Sequence, residues 1–202
     1  MISTIIFDLG GIVVPEAGNS IQEGIAMYLA MPQKELAEFI APLKAKLTTG
    51  EMTLHVMYGM LAKSKDFSLT ADDILARHFA LYKQHQTQQD KQVLELVEKL
   101  KQNYAVPCLT NTETEIAEYN KQNGLFDYFH RAFISTDMGM KKPDVEIYQA
   151  VLKELNCRPA ETIFIDDNPD YIHGARNAGI DSILYKGCEN LTQKLASYGV
   201  RL

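Results

Sequence analysis

The spacing of apolar residues changes twice along the chain, and each change predicts a different kind of secondary structure. The first run, from Thr4 to Val13, is β-branched and apolar apart from Asp8 and two glycines. Such a run is typical of a buried strand in a parallel sheet. We therefore expect the strand to present Asp8 at its open end, with Gly10 and Gly11 allowing the backbone to approach a ligand closely.

Between residues 16 and 88 the apolar residues recur at helical spacing, which predicts a set of amphipathic helices. Their apolar faces are formed by Ile21, Ile25, Tyr28, Leu29, Leu36, Phe39, Ile40, Leu43, Leu47, Leu54, Met57, Tyr58, Leu61, Ile74, Leu75, His78, Phe79 and Tyr82. Pro32 and Gly50 separate helices, and Thr70 is suited to cap the last one. The polar run 83–90 could be a frayed helix end, a solvated face or a hinge, and we favour a hinge.

Beyond Val93, short apolar runs alternate with longer amphipathic stretches, which is typical of βα units in a parallel sheet. The pattern predicts strands at 105–109, 132–135, 162–165 and 182–185, and helices at 94–101, 115–122, 145–155, 171–178 and 191–198. The Asp8 strand needs parallel neighbours, and these arrive only after residue 100. We predict an α/β fold: residues 1–15 and 89–202 form a Rossmann-like parallel-sheet core, and residues 16–88 an inserted all-helical cap. Such an insert would cover the carboxyl edge of the sheet, where open α/β folds bind ligands.

Composition narrows the possible partners. The chain has 202 residues, and 46% of them are hydrophobic, which suits a folded protein. Its net charge of -6 gives no indication of a basic surface that would bind nucleic acid or an anionic membrane. No apolar run approaches the ~20 residues of a membrane span, and no secretory leader is recognisable. Cys108, Cys157 and Cys188 are odd in number and widely spaced, which favours a reducing compartment. We expect a cytoplasmic protein with no nucleic-acid or membrane partner; its oligomeric state stays open.

Two polar residues follow the second predicted strand as Asp8 follows the first. Thr110 and Asn111 offer a hydroxyl and an amide, and Thr112 with Glu115 matches a capping box that would open the next helix. A helix N-terminus beside such donors is suited to bind an anion. The alternative is that both residues serve only the turn and the cap.

A lysine and a pair of acids complete the candidate chemistry. Lys142 precedes Pro143 at a predicted helix start, where its ammonium could neutralise a phosphate and a nearby carboxylate; it is a better candidate than Lys141. Asp166 and Asp167 end another predicted buried strand, and adjacent acids repel each other unless a cation offsets the repulsion.

Asp8 would add a third carboxylate to this pair if its strand lies beside theirs. Together the three would form a hard, oxygen-rich site that suits Mg²⁺. The alternative is an acidic turn that caps the following helix, a role that is compatible with metal binding.

Taken together, these four motifs in order, with a helical insert after the first, resemble the haloacid dehalogenase-like hydrolase superfamily and its helical-cap class. The amino-acid sequence of the stretches 135–143 and 165–168 is similar to that of the bacterial sugar-1-phosphate phosphatase and epoxide-hydrolase N-domain branch. The resemblance covers the whole chain.

The resemblance implies a Mg²⁺-dependent phosphatase that acts on a small phosphorylated metabolite through an aspartyl-phosphate on Asp8. Asp8, the Gly10 carbonyl and Asp167 would hold Mg²⁺, with Asp166 as a direct or water-mediated ligand. Lys142, Thr110, Asn111 and the backbone N–H groups of Leu9 and Gly10 would bind the transferring phosphoryl oxygens.

One position departs from the family's pattern. Most phosphatases of the superfamily carry an aspartate two residues after the nucleophile as general acid and base, and this chain has Gly10 there. Such a loss typically costs about 10² to 10⁴ in rate, and we expect anomeric and acyl phosphates, with their acidic leaving groups, to suffer least. Glu16 is near enough in sequence to substitute.

Two alternatives therefore stay open. One is a dehalogenase-type carbon hydrolase, although its metal-free chemistry has no use for the pair Asp166 and Asp167. The other is a protein that binds a phosphate ligand without turning it over.

Overall fold

A computed structural model of the chain describes residues 1–65 and 67–201, and its centre is a five-stranded sheet in which every paired strand is parallel. The strands are β1 (Thr4–Phe7), β2 (Cys108–Thr110), β3 (Ala132–Ile134), β4 (Thr162–Asp166) and β5 (Asp181–Leu184). Their order across the sheet is β3-β2-β1-β4-β5. The predicted α/β, Rossmann-like parallel sheet is confirmed.

The strand order reverses direction at β1. From β1 the chain continues outward to β2 and β3 on one side, then returns to β4 and β5 on the other. Phe7 pairs with Cys108 of β2 and with Ile165 of β4, so Asp8 and Asp166 end neighbouring strands at the same level. Such a switch point is where open α/β sheets place their ligands.

Both faces of the sheet are buried. Successive residues of a strand point to opposite sides, so each strand contributes side chains to both faces. In β1, Ile5 and Phe7 pack into one hydrophobic cluster, and Ile6 packs into another on the opposite face. Helices cover both faces: α6 (Lys91–Leu100), α7 (Thr114–Gln122), α8 (Ser135–Met138), α9 (Val145–Leu155), α10 (Pro169–Asn177) and α11 (Cys188–Ser197). We call β1–β5 with α6–α11 the α/β unit.

Between β1 and α6 the described chain is mainly helical, and its apolar residues form a hydrophobic cluster that Ile116 of α7 joins. Its helices, which we call the helical insert, are α1 (Gly18–Tyr28), α2 (Gln33–Ile40), α3 (Lys44–Thr49), α4 (Leu54–Ser64) and α5 (Ala71–Gln86). Thr70 caps α5 as predicted, in a reciprocal capping box with Asp73. The domain boundaries 1–15, 16–88 and 89–202 stay a prediction.

The favoured hinge at 83–90 overlaps α5, which extends to Gln86, so only residues 87–90 are left for it, and the hinge stays a prediction. The Gln86 side chain is buried and donates from Nε2 to Asn120 Oδ1 at 2.8 Å. Lys and Gln are good helix formers, which favours the continuation of α5 through residues 83–86. The capping box of Thr112 and Glu115 does not form, because α7 begins at Thr114 without a side-chain cap.

The second strand is shorter than predicted. Proline has no N–H to donate to a strand ladder, and β2 begins only after Pro107, although the carbonyl oxygens of Ala105 and Pro107 still accept from β1. Among the described residues, no helix combines the length and the apolar character needed to cross a bilayer.

Candidate active site

Three carboxylates converge at the switch point of the sheet. Asp8 follows β1, Asp166 ends β4, and Asp167 comes next along the chain. One carboxylate oxygen from each lies within 4.8 Å of those of the other two. Asp8 and Asp166 are 6% and 0% exposed, whereas Asp167 is half-buried and faces the cavity described below. The predicted convergence of acids from separated strands is thus present in the structure.

Lys142 neutralises part of this charge. Its Nζ lies 2.7 Å from Asp8 Oδ1 and 2.7 Å from Asp166 Oδ2, and the residue is 1% exposed. The ammonium also lies 4.8 Å from the ring centroid of Tyr171 and 5.4 Å from that of Phe164. Aromatic faces attract a cation at this range. The lysine is therefore fixed between the two buried acids, and among the described residues no cation pairs with Asp167.

Three acids face one lysine, so the site has an excess of negative charge. The pKa of each of the three acids is raised. Burial raises the pKa of the Asp8 carboxyl to about 7, although the charge of Lys142 opposes the rise. Burial also raises the pKa of Asp166, and burial together with the charge of Asp8 raises that of Asp167. For Lys142, burial works to lower the pKa, but Asp8 and Asp166 outweigh it and raise the pKa.

A divalent cation would offset this excess of negative charge, and the available ligand atoms show whether one would fit. Carboxylate oxygens are the ligands that Mg²⁺ prefers, and a positive ion beside the acids would favour their ionised forms. Asp166 already uses both oxygens, accepting from Lys142 Nζ and, through Oδ1 at 2.8 Å, from the Asn168 N–H. Asp8 and Asp167 offer the less committed oxygens, and the donor set fits Mg²⁺.

Asn111 holds the lysine loop in place. Its Oδ1 accepts from the Lys142 N–H at 2.9 Å, and its Nδ2 donates to the Lys142 carbonyl at 2.9 Å and to Tyr171 Oη at 3.3 Å. Both ends of the amide are thus engaged by protein groups. Its predicted direct contact with substrate stays a prediction, while the structure gives it a positioning role. Thr110, 4% exposed, lines the cavity.

The two glycines after Asp8 do different work. Gly11 adopts φ +71, and a Cβ there would lie 2.0 Å from Asp167 Oδ2, so any side chain would displace that carboxylate. Gly10 has an ordinary φ and open space around its Cβ position except for Glu16 Oε2 at 3.5 Å. The Leu9 N–H hydrogen-bonds the Asp8 carboxylate and lowers its pKa.

A cavity of about 630 Å³ lies between this site and the helical insert. The α/β unit contributes Asp8, Thr110, Glu113, Lys142, Asp167 and Tyr171, and the insert and its linker contribute Glu16, Asn19, Gln22, Lys44, Met57, Tyr58, His78 and Tyr82 among others. The volume lies in the range of small-molecule sites.

The insert is fastened to the α/β unit by polar groups of α7. Glu115 accepts from the Leu54 N–H at 3.0 Å and the His55 N–H at 2.9 Å, so it caps α4. Asn120 Oδ1 accepts from Tyr82 Oη at 2.9 Å as well as from Gln86. The insert is therefore positioned over the cavity by specific contacts.

Sequence reasoning missed three residues of the site's support. Glu115 was read as a local cap, although its partners lie 60 residues earlier. Ser135 accepts through Oγ from the Thr112 N–H at 3.1 Å, and Tyr171 stacks on Lys142. A polar residue at the end of β3, where the other strand ends also carry chemistry, was the one available signal for Ser135.

Known proteins match both the sequence and the fold. The profile of the haloacid dehalogenase-like hydrolase family matches residues 5–185. D-ribitol-5-phosphate phosphatase of Bacteroides thetaiotaomicron is 24% identical over 191 residues, covering 90% of this chain and 91% of that protein. A sesquiterpene phosphatase of Aspergillus oryzae is 33% identical over 110 residues, and the match spans about half of each protein, 54% and 53%.

The fold comparison agrees. A haloacid dehalogenase family enzyme of Bacteroides thetaiotaomicron, solved with magnesium and inorganic phosphate, superimposes with a TM-score of 0.76 at 22% identity, covering 92% of this chain and 95% of that chain.

Proposed function

Because the chain belongs to the haloacid dehalogenase-like hydrolase family, we propose that it is a Mg²⁺-dependent phosphatase with Asp8 as its nucleophile. The observation that carries this proposal is the group of three acids around one buried lysine at the switch point of the sheet. This group faces a cavity that the helical insert covers. Both relatives described above are phosphatases, and the structural neighbour binds magnesium and phosphate, which supports the predicted activity and cofactor.

The reaction has two steps. Asp8 attacks the phosphorus in line with the leaving oxygen, so that an Asp8 O–P bond forms while the bond to the leaving oxygen breaks. Water then attacks the aspartyl-phosphate, restoring the carboxylate and releasing phosphate. Lys142, which already contacts Asp8, would bind a transferring oxygen and stabilise the charge that spreads over it.

Asp8, Asp167 and the Gly10 carbonyl would hold Mg²⁺, with Asp166 as a direct or water-mediated ligand. When bound, the ion neutralises negative charge on the phosphoryl group and the acids. Thr110 and the N–H groups of Leu9 and Gly10 complete the set of donors to the phosphoryl oxygens. Asn111 acts there through the Lys142 backbone, which it fixes.

The substrate class we propose is a small phosphorylated metabolite. The cavity is bounded on the side away from Asp8 by helices of the insert, so this unit would act as a cap that excludes water and selects the leaving group. We propose that the protein works in the cytoplasm, because Cys108, Cys157 and Cys188 are free thiols.

The dehalogenase-type alternative is not favoured. Asp167 lies with Asp8 and Asp166 in a group that could hold a metal ion, whereas Lys142 pairs with only the other two, and metal-free carbon chemistry has no use for the third acid. The phosphate-binding alternative predicts binding without turnover.

One assay separates these functions: release of phosphate from p-nitrophenyl phosphate with Mg²⁺ and with EDTA, for the native chain and Asp8→Asn. We expect Mg²⁺-dependent release that the substitution abolishes. Release of halide from a haloacid without metal would indicate a dehalogenase, and no turnover in either assay would indicate a binding protein. Either result contradicts the phosphatase.

A further inference from the structure

The proposed reaction lacks an assigned proton donor for the leaving oxygen. An alkoxide is a poor leaving group, and protonation by a positioned acid typically accelerates such a step by about 10² to 10⁴. Lys142 and Asp166 are held in mutual ion pairs, and Asp167 faces the acids as a metal ligand. The donor must therefore come from another side chain that lines the cavity.

Glu16 lies beside the nucleophile loop. Its Oε2 is 3.5 Å from the position that a Cβ of Gly10 would occupy, and the residue lines the cavity together with Asp8 and Lys142. The carboxyl group of Glu16 thus occupies space next to Gly10 that a side chain at that position would otherwise enter.

One oxygen of this exposed carboxyl group accepts a backbone hydrogen bond. Glu16 Oε1 accepts from the Gly18 N–H at 3.0 Å, at the start of α1. With Oε1 serving as an acceptor, Oε2 is the oxygen that can carry and transfer a proton. A donor held in one geometry is what general acid catalysis requires.

The other proton-bearing groups of the cavity are less suited. Tyr58 Oη and His78 Nδ1 are 2.8 Å apart and bind each other, and Tyr82 donates to Asn120. Glu113 lines the cavity, but its strongest charged neighbours are Glu115 and Lys44 rather than the acids at the strand ends.

We propose that Glu16 is the general acid that protonates the leaving group of the phosphatase, in the place that Gly10 leaves open. This inference rests on the proposed function. In the first step the proton leaves Glu16 Oε2 for the leaving oxygen as its bond to phosphorus breaks and the Asp8 O–P bond forms. In the second, water attacks phosphorus as the Asp8 O–P bond breaks; the proton of the water stays on the released phosphate, and Glu16 regains its proton from solvent.

The test compares two substrates that share a six-membered ring and differ in leaving group. p-Nitrophenyl phosphate releases an acidic phenol that needs no proton, whereas benzyl phosphate releases a basic alkoxide. We expect Glu16→Gln, measured with Mg²⁺, to lower kcat for benzyl phosphate by about 10²-fold or more and to leave p-nitrophenyl phosphate within severalfold of the native rate. Retained turnover of p-nitrophenyl phosphate shows that the variant is folded.

A second variant places the carboxyl elsewhere. Gly10 has an ordinary φ, and the one described atom near its Cβ position belongs to the Glu16 side chain, so a Glu16→Ala background leaves room for Gly10→Asp. We expect it to recover a large part of the benzyl phosphate activity. Glu23→Gln, an exposed acid of α1 outside the cavity, is the matched control and should change neither rate.

Several outcomes would overturn the inference. Equal losses on both substrates would make Glu16 a structural or binding residue, and no loss on either would remove it from the reaction. A native chain that hydrolyses p-nitrophenyl phosphate but not benzyl phosphate would show that no acid serves the leaving group. A native chain inactive on both substrates would instead contradict the proposed phosphatase itself.

Discussion

The two walls of the cavity handle buried polar groups in opposite ways. At the sheet edge, Asp8, Asp166 and Lys142 are buried as interacting charges. On the insert side, Tyr58 and His78 are buried as a hydrogen-bonded pair, and burial lowers the pKa of His78 to about 4, so the imidazole is neutral at pH 7. Charge can be kept in a low-dielectric site only by a partner of opposite sign. The contrast favours charged chemistry at the sheet edge and a neutral, hydrogen-bonded surface on the insert helices.

Removing the cation from the sheet edge should have the largest effect. We expect Lys142→Met to lower the free energy of unfolding by about 3–5 kcal/mol, because two buried acids lose their only described ion-pair partner. Urea denaturation in EDTA measures this. Lys141→Met, which removes a partly exposed pair with Asp144, should cost less than about 1 kcal/mol. Equal losses in the two variants would contradict the pairing.

On the insert side of the cavity, the burial of neutral His78 should make the free energy of unfolding fall in acid. His78 has a folded pKa of about 4, below its ordinary 6.5, so folding releases a proton. Stability from neutral His78 is therefore complete above pH 6.5 and is lost as the pH falls toward 4, by up to about 3 kcal/mol. Comparing the native chain with His78→Gln by urea denaturation from pH 7 to pH 4 measures it. A pH-independent difference would show that folding does not shift the pKa of His78 and would contradict its burial as a neutral group.

Bound Mg²⁺ should stabilise the folded protein, whereas the Asp167 carboxylate should destabilise it when no metal is bound. We expect Mg²⁺ at a hundred times its Kd to stabilise the native chain by about 2.7 kcal/mol, and EDTA to reverse this. Asp167→Asn should lose this stabilisation yet be more stable than the native chain without metal, because it removes a negative charge from beside Asp8. Thermal unfolding with Mg²⁺ and with EDTA gives both values. An Asp167→Asn protein that Mg²⁺ still stabilises fully would exclude this residue as a ligand.

The contact between the two walls should give the smallest effect. Glu115→Ala removes the acceptor for the first N–H groups of α4, and we expect a loss of about 1 kcal/mol. Glu118→Ala, an exposed acid of the same helix, should stay within about 0.5 kcal/mol of the native chain. If both variants unfold alike, Glu115 is not what fastens the insert.

The sheet and its acids could be predicted because their signals are local. A buried parallel strand is apolar on both faces, so a carboxylate at its end stands out in the sequence, as do Asp8 and the pair Asp166 and Asp167. The edge at which these strands end then follows from the parallel order alone. The family resemblance points to the same residues. The matching profile confirms the family, and the roles of the residues stay a prediction.

The remaining features depend on partners that are far away in sequence. Glu115 fits the local pattern of a capping box, but it binds α4, and only the packing of α7 against the insert decides between the two. Asn111 likewise binds the backbone 31 residues later rather than pointing freely at a ligand. Pattern reasoning could name these residues but not their partners.

The covalent step on Asp8 is tested most directly by acid-quenching the enzyme during turnover of p-nitrophenyl phosphate with Mg²⁺ and mapping the phosphoryl group by mass spectrometry. The predicted result is phosphorylation of Asp8, absent from the Asp8→Asn protein, which also releases no phosphate. Phosphate release that proceeds with Asp8 unmodified, or that survives in Asp8→Asn, would contradict a nucleophilic aspartate at the end of β1.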